Sequence, residues 1–106
     1  TLRHLPEASL SFAIITDTHI GAQGEESIFC HNWRVDETIR QINALRPDFV
    51  VHCGDIITAF PFHDAFPDQC RSAVGRLKGF DMPVYLAPGN HDIGNQRNMR
   101  VWDDRW

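Results

Sequence analysis

An α/β fold built on a parallel sheet is what this chain of 106 residues predicts, and three observations predict it. Apolar stretches at residues 10–16, 49–53 and 82–87 each read as a buried strand. Between them lie two segments with apolar residues at helical spacing, giving the order strand, helix, strand, helix, strand. Each strand runs into a polar cluster: Asp17-Thr18-His19, then Gly54-Asp55, then Gly89-Asn90-His91-Asp92. The spacing of 38 residues from Asp17 to Asp55, and of 35 from Asp55 to Asn90, leaves room for a crossover helix and its loops. The clusters can therefore gather at the carboxyl ends of neighbouring parallel strands, where open α/β sheets place ligands.

Taken in order, residues 1–9 are polar, contain Pro6 and read as a lead-in. Residues 10–16 form the first strand. Residues 17–32 are a loop rich in Gly, Glu and Gln, long enough to suggest a functional or mobile segment. A helix is expected over 33–45, with Asn32 as N-cap, Asp36 and Glu37 favourably placed in its early turns, and Pro47 barring continuation. Val35, Ile39, Ile42 and Leu45 share one face of it. After the second strand comes the apolar run 56–62, read as core wall in preference to the lining of a substrate cleft. The second helix is expected over 67–78, opened by Pro67 and closed by Gly79, with Ala73, Val74 and Leu77 on its apolar face. Pro83 sits at the start of the third strand, where proline is tolerated. Residues 95–106 have a short helical pattern around Met99, Val101 and Trp102. Parallel strands want both faces covered. Two helices leave one face bare, so Trp102 and Trp106 are expected to meet structure supplied elsewhere or to lie exposed.

Composition excludes several function classes. A hydrophobic fraction of 42% and a charged fraction of 23% are those of an ordinary globular domain, and the length allows one domain, residues 1–106. The net charge of −4, with Lys78 the single lysine, argues against a general nucleic-acid surface. No apolar run reaches the ~18–20 residues of a membrane helix, and no signal peptide is visible. Cys30, Cys53 and Cys70 form no Cys-x-x-Cys pair and read as free thiols, with Cys53 a small core residue; a cytoplasmic location is expected.

Carboxylates, imidazoles and an amide oxygen converging at strand ends are the ligand set of a hard-to-borderline metal site. In this order and spacing, Asp17-x-His19, Gly54-Asp55 and Gly89-Asn90-His91-Asp92 resemble the calcineurin-like metallophosphoesterases. The resemblance spans roughly residues 10–95, and the chain resembles the amino-terminal half of such an enzyme, since no histidine follows His91. It implies the parallel βαβαβ half of a four-layer αββα sandwich. It also implies metal-dependent hydrolysis of phosphate esters at a dinuclear centre with a metal-activated water. The two divalent cations would be Mn, Fe, Zn or Mg.

By the same resemblance, Asp17 and His19 bind the first metal, Asp55 bridges the two, and Asn90 binds the second through its amide oxygen. The i, i+2 spacing of Asp17 and His19, in an extended segment, would point both side chains the same way. His91 aids the leaving group rather than binding metal, and Asp92 orients His91 and raises its pKa. Gly54 and Gly89 are expected to let backbone approach the ions, with a conformation closed to other residues suggested at Gly89. The segment 89–95 is closest to phosphatase-type members related to purple acid phosphatases, although the tyrosine those enzymes use on iron is missing near Asp55. No partner other than a phosphate-ester substrate is implied.

Blander readings stand beside each residue. Asp17 and Asn90 are common turn residues, Asp55 could cap a helix, and His19 could be a hydrogen-bonded surface histidine. Their joint appearance is what favours the site. His52 reads as a satisfied core histidine rather than a ligand, and His63 as an exposed loop residue rather than a cleft residue. Arg97 and Arg100 read as a solvated face before they read as phosphate contacts. Two other functions fit less well: a binding scaffold with an incomplete site, and a DNA-repair-type nuclease, suggested by residues 17–21 but opposed by the acidic charge.

Overall fold

The computed structural model describes residues 10–22, 31–94, 102 and 105–106. The chain runs β1 (Phe12–Ile15), α1 (Asn32–Leu45), β2 (Phe49–His52), α2 (Phe66–Leu77), β3 (Val84–Leu86) and α3 (Asn90–Ile93). The three strands form one parallel sheet in the order β1-β2-β3. Phe12 lies opposite Phe49 and Ile15 opposite His52, while Val50 lies opposite Val84 and His52 opposite Leu86. The register thus aligns the ends of the strands, and the polar clusters leave the sheet side by side. The α/β class and the βαβαβ order are those the sequence predicts.

The core lies between one sheet face and the two long helices. Val35, Ile39 and Ile42 of α1 and Phe66, Cys70, Ala73 and Leu77 of α2 are buried, each set at the three- and four-residue spacing of a helix face. They pack with Val50 and, at the edges, with Ala13, Ile15, Val84 and Leu86. Arg76 of α2 pairs with Asp36 of α1 across the helix contact. Asp36 and Glu37 lie beyond the first turn of α1, which begins at Asn32, so their expected role at its dipole is replaced by pairing with Arg76 and Arg40. Asn32 is not the N-cap either. His31 holds that position, and the Asn32 side chain instead bonds Gly21 N and O. Arg46 closes α1 in the left-handed conformation at φ 53°.

Among the described residues the opposite sheet face is left uncovered, as expected from a sheet with helices on one side. Phe12, Ile14 and Tyr85 are exposed there, Ile14 at 63%, and Phe49 stacks on Phe12 at 5.1 Å. Strand alternation also corrects Cys53. His52 points into the core, so the next residue turns outward, and Cys53 is exposed rather than a core residue. Trp102 and Trp106 pack against the hydrophobic core and each other instead of lying uncovered. The apolar run after Asp55 divides. Ile56, Ile57 and Ala59 are core, whereas Phe62 is 77% exposed. No helix of the described residues is long and apolar enough to cross a membrane. The lead-in, most of the 17–32 loop, Cys30, and Arg97 and Arg100 lie outside the described residues.

Candidate metal centre

Backbone hydrogen bonds stitch the first two clusters together beyond the sheet. Asp17 N donates to Gly54 O at 2.9 Å, His19 N to Asp55 O at 3.1 Å and Ile20 N to Ile56 O at 2.8 Å. The parallel pairing of β1 and β2 therefore continues through the polar segments, which carries Asp17 and His19 to Asp55. Asp17, His19 and Asp55 each offer one ligand atom within 4.8 Å of the others. His19 Nε2 stands 3.8 Å from Asp17 Oδ1. Two carboxylates so close repel, and a bound cation relieves that repulsion. With an imidazole they make a donor set suited to a hard-to-borderline divalent cation.

The way these side chains converge differs from expectation. The 17–19 segment is not extended. Asp17 and His19 have φ of 55° and 44°, and Asp55 has φ of 53°. Among the described residues the remaining non-glycine with positive φ is Arg46 at the end of α1. Left-handed backbone costs a side-chain-bearing residue about 1–3 kcal/mol and collects at functional sites. Asp and His are among the types that tolerate it best. No sequence pattern announces this, because Asp and His also occupy ordinary turns.

The two glycines let the loops pack closely against each other. Gly54 has φ of 107°, and a Cβ on it would lie 2.5 Å from Gly89 N. Gly89, at φ −100° and ψ 177°, has an ordinary extended backbone, so the restricted conformation belongs to Gly54 and not to Gly89. A Cβ on Gly89 would overlap the Asp55 amide and carboxylate. The second and third clusters are pressed backbone to backbone.

The third cluster opens α3, a single turn that carries no periodicity to betray it. Asn90 is its exposed first residue. The next amide, His91 N, donates to Asp55 Oδ1 at 3.1 Å. The His91 ring meets His19 edge-on at 5.0 Å and stacks on Phe60 at 4.2 Å. Its Nδ1 bonds the Thr58 carbonyl. A carbonyl only accepts, so Nδ1 carries a proton and Nε2 is the nitrogen left for chemistry.

Asp92 turns its carboxylate to backbone amides. It is fully buried, and its carboxylate accepts from Ile56 N at 2.9 Å and Gly89 N at 2.8 Å, with a longer approach from Ile57 N. It clamps the 54–57 loop to the start of α3, and the Thr58 carbonyl takes the orienting role toward His91. Burial raises the Asp92 pKa above the usual carboxylate value, and the surrounding amides oppose that shift. Gln69, unremarked in the sequence, is buried on α2 and accepts from Thr58 N and Ala59 N, which fixes the peptide that holds His91.

His52 is a core histidine with both nitrogens bonded, and burial lowers its pKa to about 4, against the opposing pull of Asp17 and Asp55. Its ordinary value is 6.5, so the unfolded chain holds a proton that the folded chain does not between those limits. Stability should therefore be complete above pH 6.5 and fall as the pH drops toward 4. The loss is on the order of 3 kcal/mol at most. Thermal unfolding of the full-length protein across that range, beside His52→Gln, checks it: the variant should show a shallower acid slope.

Known proteins match this sequence. The calcineurin-like phosphoesterase family matches residues 10–106. A serine/threonine-protein phosphatase CPPED1 from Homo sapiens is 34% identical over 80 residues, covering 65% of this chain and 26% of that protein. Its counterpart from Danio rerio is 35% identical over 63 residues, covering 56% of this chain and 20% of that protein. The DNA double-strand break repair protein Mre11 of Methanococcus maripaludis is 40% identical over 58 residues, covering 54% and 15%. The matched segment thus spans about a quarter or less of these relatives' length. A parallel sheet that delivers Asp17, His19 and Asp55 to one point, in a segment matched almost end to end, makes this chain a member of the calcineurin-like phosphoesterase family.

Proposed function

We propose that the protein carrying this chain hydrolyses phosphate monoesters at a dinuclear metal centre, part of which is built here. The observation that supports this most is the convergence of Asp17, His19 and Asp55 within 4.8 Å. Asp17 and His19 hold one cation, Asp55 is shared between two, and Asn90 serves the second. Bound divalent cations supply Lewis acidity toward the phosphoryl oxygens and lower the pKa of a water to near neutrality. Asp55 is suited to sharing because the His91 amide occupies one lone pair of Oδ1 and leaves its other lone pairs to face cations.

His91 acts on the leaving group. Its Nδ1 proton is committed to the Thr58 carbonyl, and Phe60 packs against one ring face. A proton on Nε2 can then be handed to the departing alkoxide, the work of a general acid. Asp92 and Gln69 hold the peptides around this histidine. The phosphatase relatives and the net charge of −4 favour a small or peptide-borne phosphate ester over DNA, despite the Mre11 match.

The test is hydrolysis of nitrophenyl phosphate by the full-length protein. Turnover should vanish with a chelator and return with Mn²⁺. Turnover indifferent to chelation would overturn the metal-centre reading. With an alkyl phosphate, whose departing alkoxide needs a proton, His91→Ala should lower kcat by about 10²–10⁴-fold with metal content unchanged; loss of metal from that variant would show that His91 is a ligand.

A further inference from the structure

His52 ends β2 with no exposed surface, directly beneath the loops that carry the candidate ligands. Its Nδ1 is 3.0 Å from Gly54 N, and its Nε2 is 2.9 Å from Thr18 Oγ1. The Thr18 hydroxyl lies 2.9 Å from the Ile56 carbonyl. These partners leave one arrangement of protons. The Gly54 amide can only donate, so Nδ1 is bare. The Ile56 carbonyl can only accept, so the single hydroxyl proton of Thr18 goes there. Thr18 Oγ1 must then accept from Nε2–H. A one-way relay results: Gly54 N–H to His52, His52 N–H to Thr18, Thr18 O–H to Ile56.

The relay joins the two ligand loops at the residues that flank the ligands. Thr18 sits between Asp17 and His19, while Gly54 and Ile56 sit on either side of Asp55. No member of the relay is itself a candidate ligand. We infer that His52 is a positioning residue for the metal centre, whose neutral imidazole with the proton on Nε2 sets the distance between the Asp17–His19 loop and the Asp55 loop. The inference rests on the reading of Asp17, His19 and Asp55 as metal ligands. Groups that orient ligands from behind typically contribute 10–100-fold to metal affinity or activity.

The experiment is calorimetric titration of Mn²⁺ into chelator-stripped full-length protein, with kcat and KM for nitrophenyl phosphate on the same samples. The variants are His52→Leu, His52→Asn, Thr18→Val and the pair His52→Leu with Thr18→Val. All are measured well below each protein's own melting temperature. His52→Leu should bind Mn²⁺ 10–100-fold more weakly and lose kcat with KM little changed. Asn can accept from Gly54 N as Nδ1 does, so His52→Asn should recover part of the affinity. Thr18→Val should weaken binding too, and the pair should lose less than the two single changes together, because either one breaks the same relay. A residue that only fills the core would lower the melting temperature and leave the affinity of the folded protein unchanged. That result in His52→Leu, with a control variant Asp55→Asn losing Mn²⁺ affinity, overturns this inference alone. Failure of the unsubstituted protein to bind Mn²⁺ overturns both it and the metal-centre reading. Full additivity in the pair overturns the relay.

Discussion

Asp55→Asn is expected to reduce turnover of nitrophenyl phosphate by about 10³-fold or more while the melting temperature hardly moves. The substitution is close to isosteric. Asn tolerates left-handed backbone as Asp does, so the φ of 53° is kept. The amide oxygen can still accept the His91 N–H that Asp55 Oδ1 now takes. What disappears is the negative charge and the second anionic oxygen, the two properties a shared ligand needs to hold like-charged cations together. Cations in such a centre contribute several kcal/mol of transition-state stabilisation, and every 1.36 kcal/mol is roughly tenfold in rate. Kinetics, metal content and thermal unfolding of the variant decide the matter. Wild-type turnover would remove Asp55 from its proposed place. A large fall in melting temperature would show that it is mainly a structural carboxylate.

Gly89→Ala should disable the site by a different route, with the backbone conformation left untroubled. The φ and ψ of −100° and 177° suit alanine well. The obstacle is space, since the new methyl would overlap the Asp55 amide and carboxylate and lie 2.9 Å from its carboxyl carbon. Neither atom group can retreat cheaply. The carboxylate is held by His91 N, and the Gly54–Asp55 peptide that carries the clashing amide is held by Asp17 N, which donates to Gly54 O. Overpacking of this kind costs about 1–3 kcal/mol, and the displacement falls on the proposed shared ligand. Loss of metal binding is therefore expected to exceed the loss of stability. Gly54→Ala should be worse, combining a similar clash with a φ of 107°. Gly75 supplies the contrast. It lies within α2 with open space where a Cβ would go, so Gly75→Ala should stabilise the protein by about 0.5–1 kcal/mol. Melting temperatures and Mn²⁺ titrations of the three alanine variants test this ordering.

What could be read from the residues, and what could not, divides along physical lines. α1 and α2 are legible because burial imposes periodicity, with Val35, Ile39 and Ile42 recurring every three or four residues, and β2 is legible as an apolar run set between two helical patterns. The convergence of Asp17, His19 and Asp55 was legible because each follows a strand in a parallel sheet. The apolar stretch at β1 suggests burial throughout, whereas Phe12 and Ile14 face outward, since such a stretch does not say which of its faces is covered. One-turn α3 had no period to detect. Asp92 stands beside a histidine in sequence, yet the helical turn carries its carboxylate to backbone amides, which chain order does not record. The roles of Asn32 and Gln69 are not legible, because their work is to hold peptides 10 or 11 residues away and chain order does not record such contacts.

The left-handed backbone at Asp17, His19 and Asp55 has a bearing on how ligand deletions should be interpreted. At most positions alanine is the neutral way to erase a side chain, and glycine adds an unwanted freedom. Here the preference reverses. With φ between 44° and 55° at these three residues, an alanine would remove the donor atom and also place there a residue that tolerates the left-handed region less well than Asp or His, mixing two effects in one measurement. Glycine adopts this region without strain. It deletes the donor while leaving the turn content, so glycine scanning is the cleaner ruler for the ligands, and alanine scanning would overstate them.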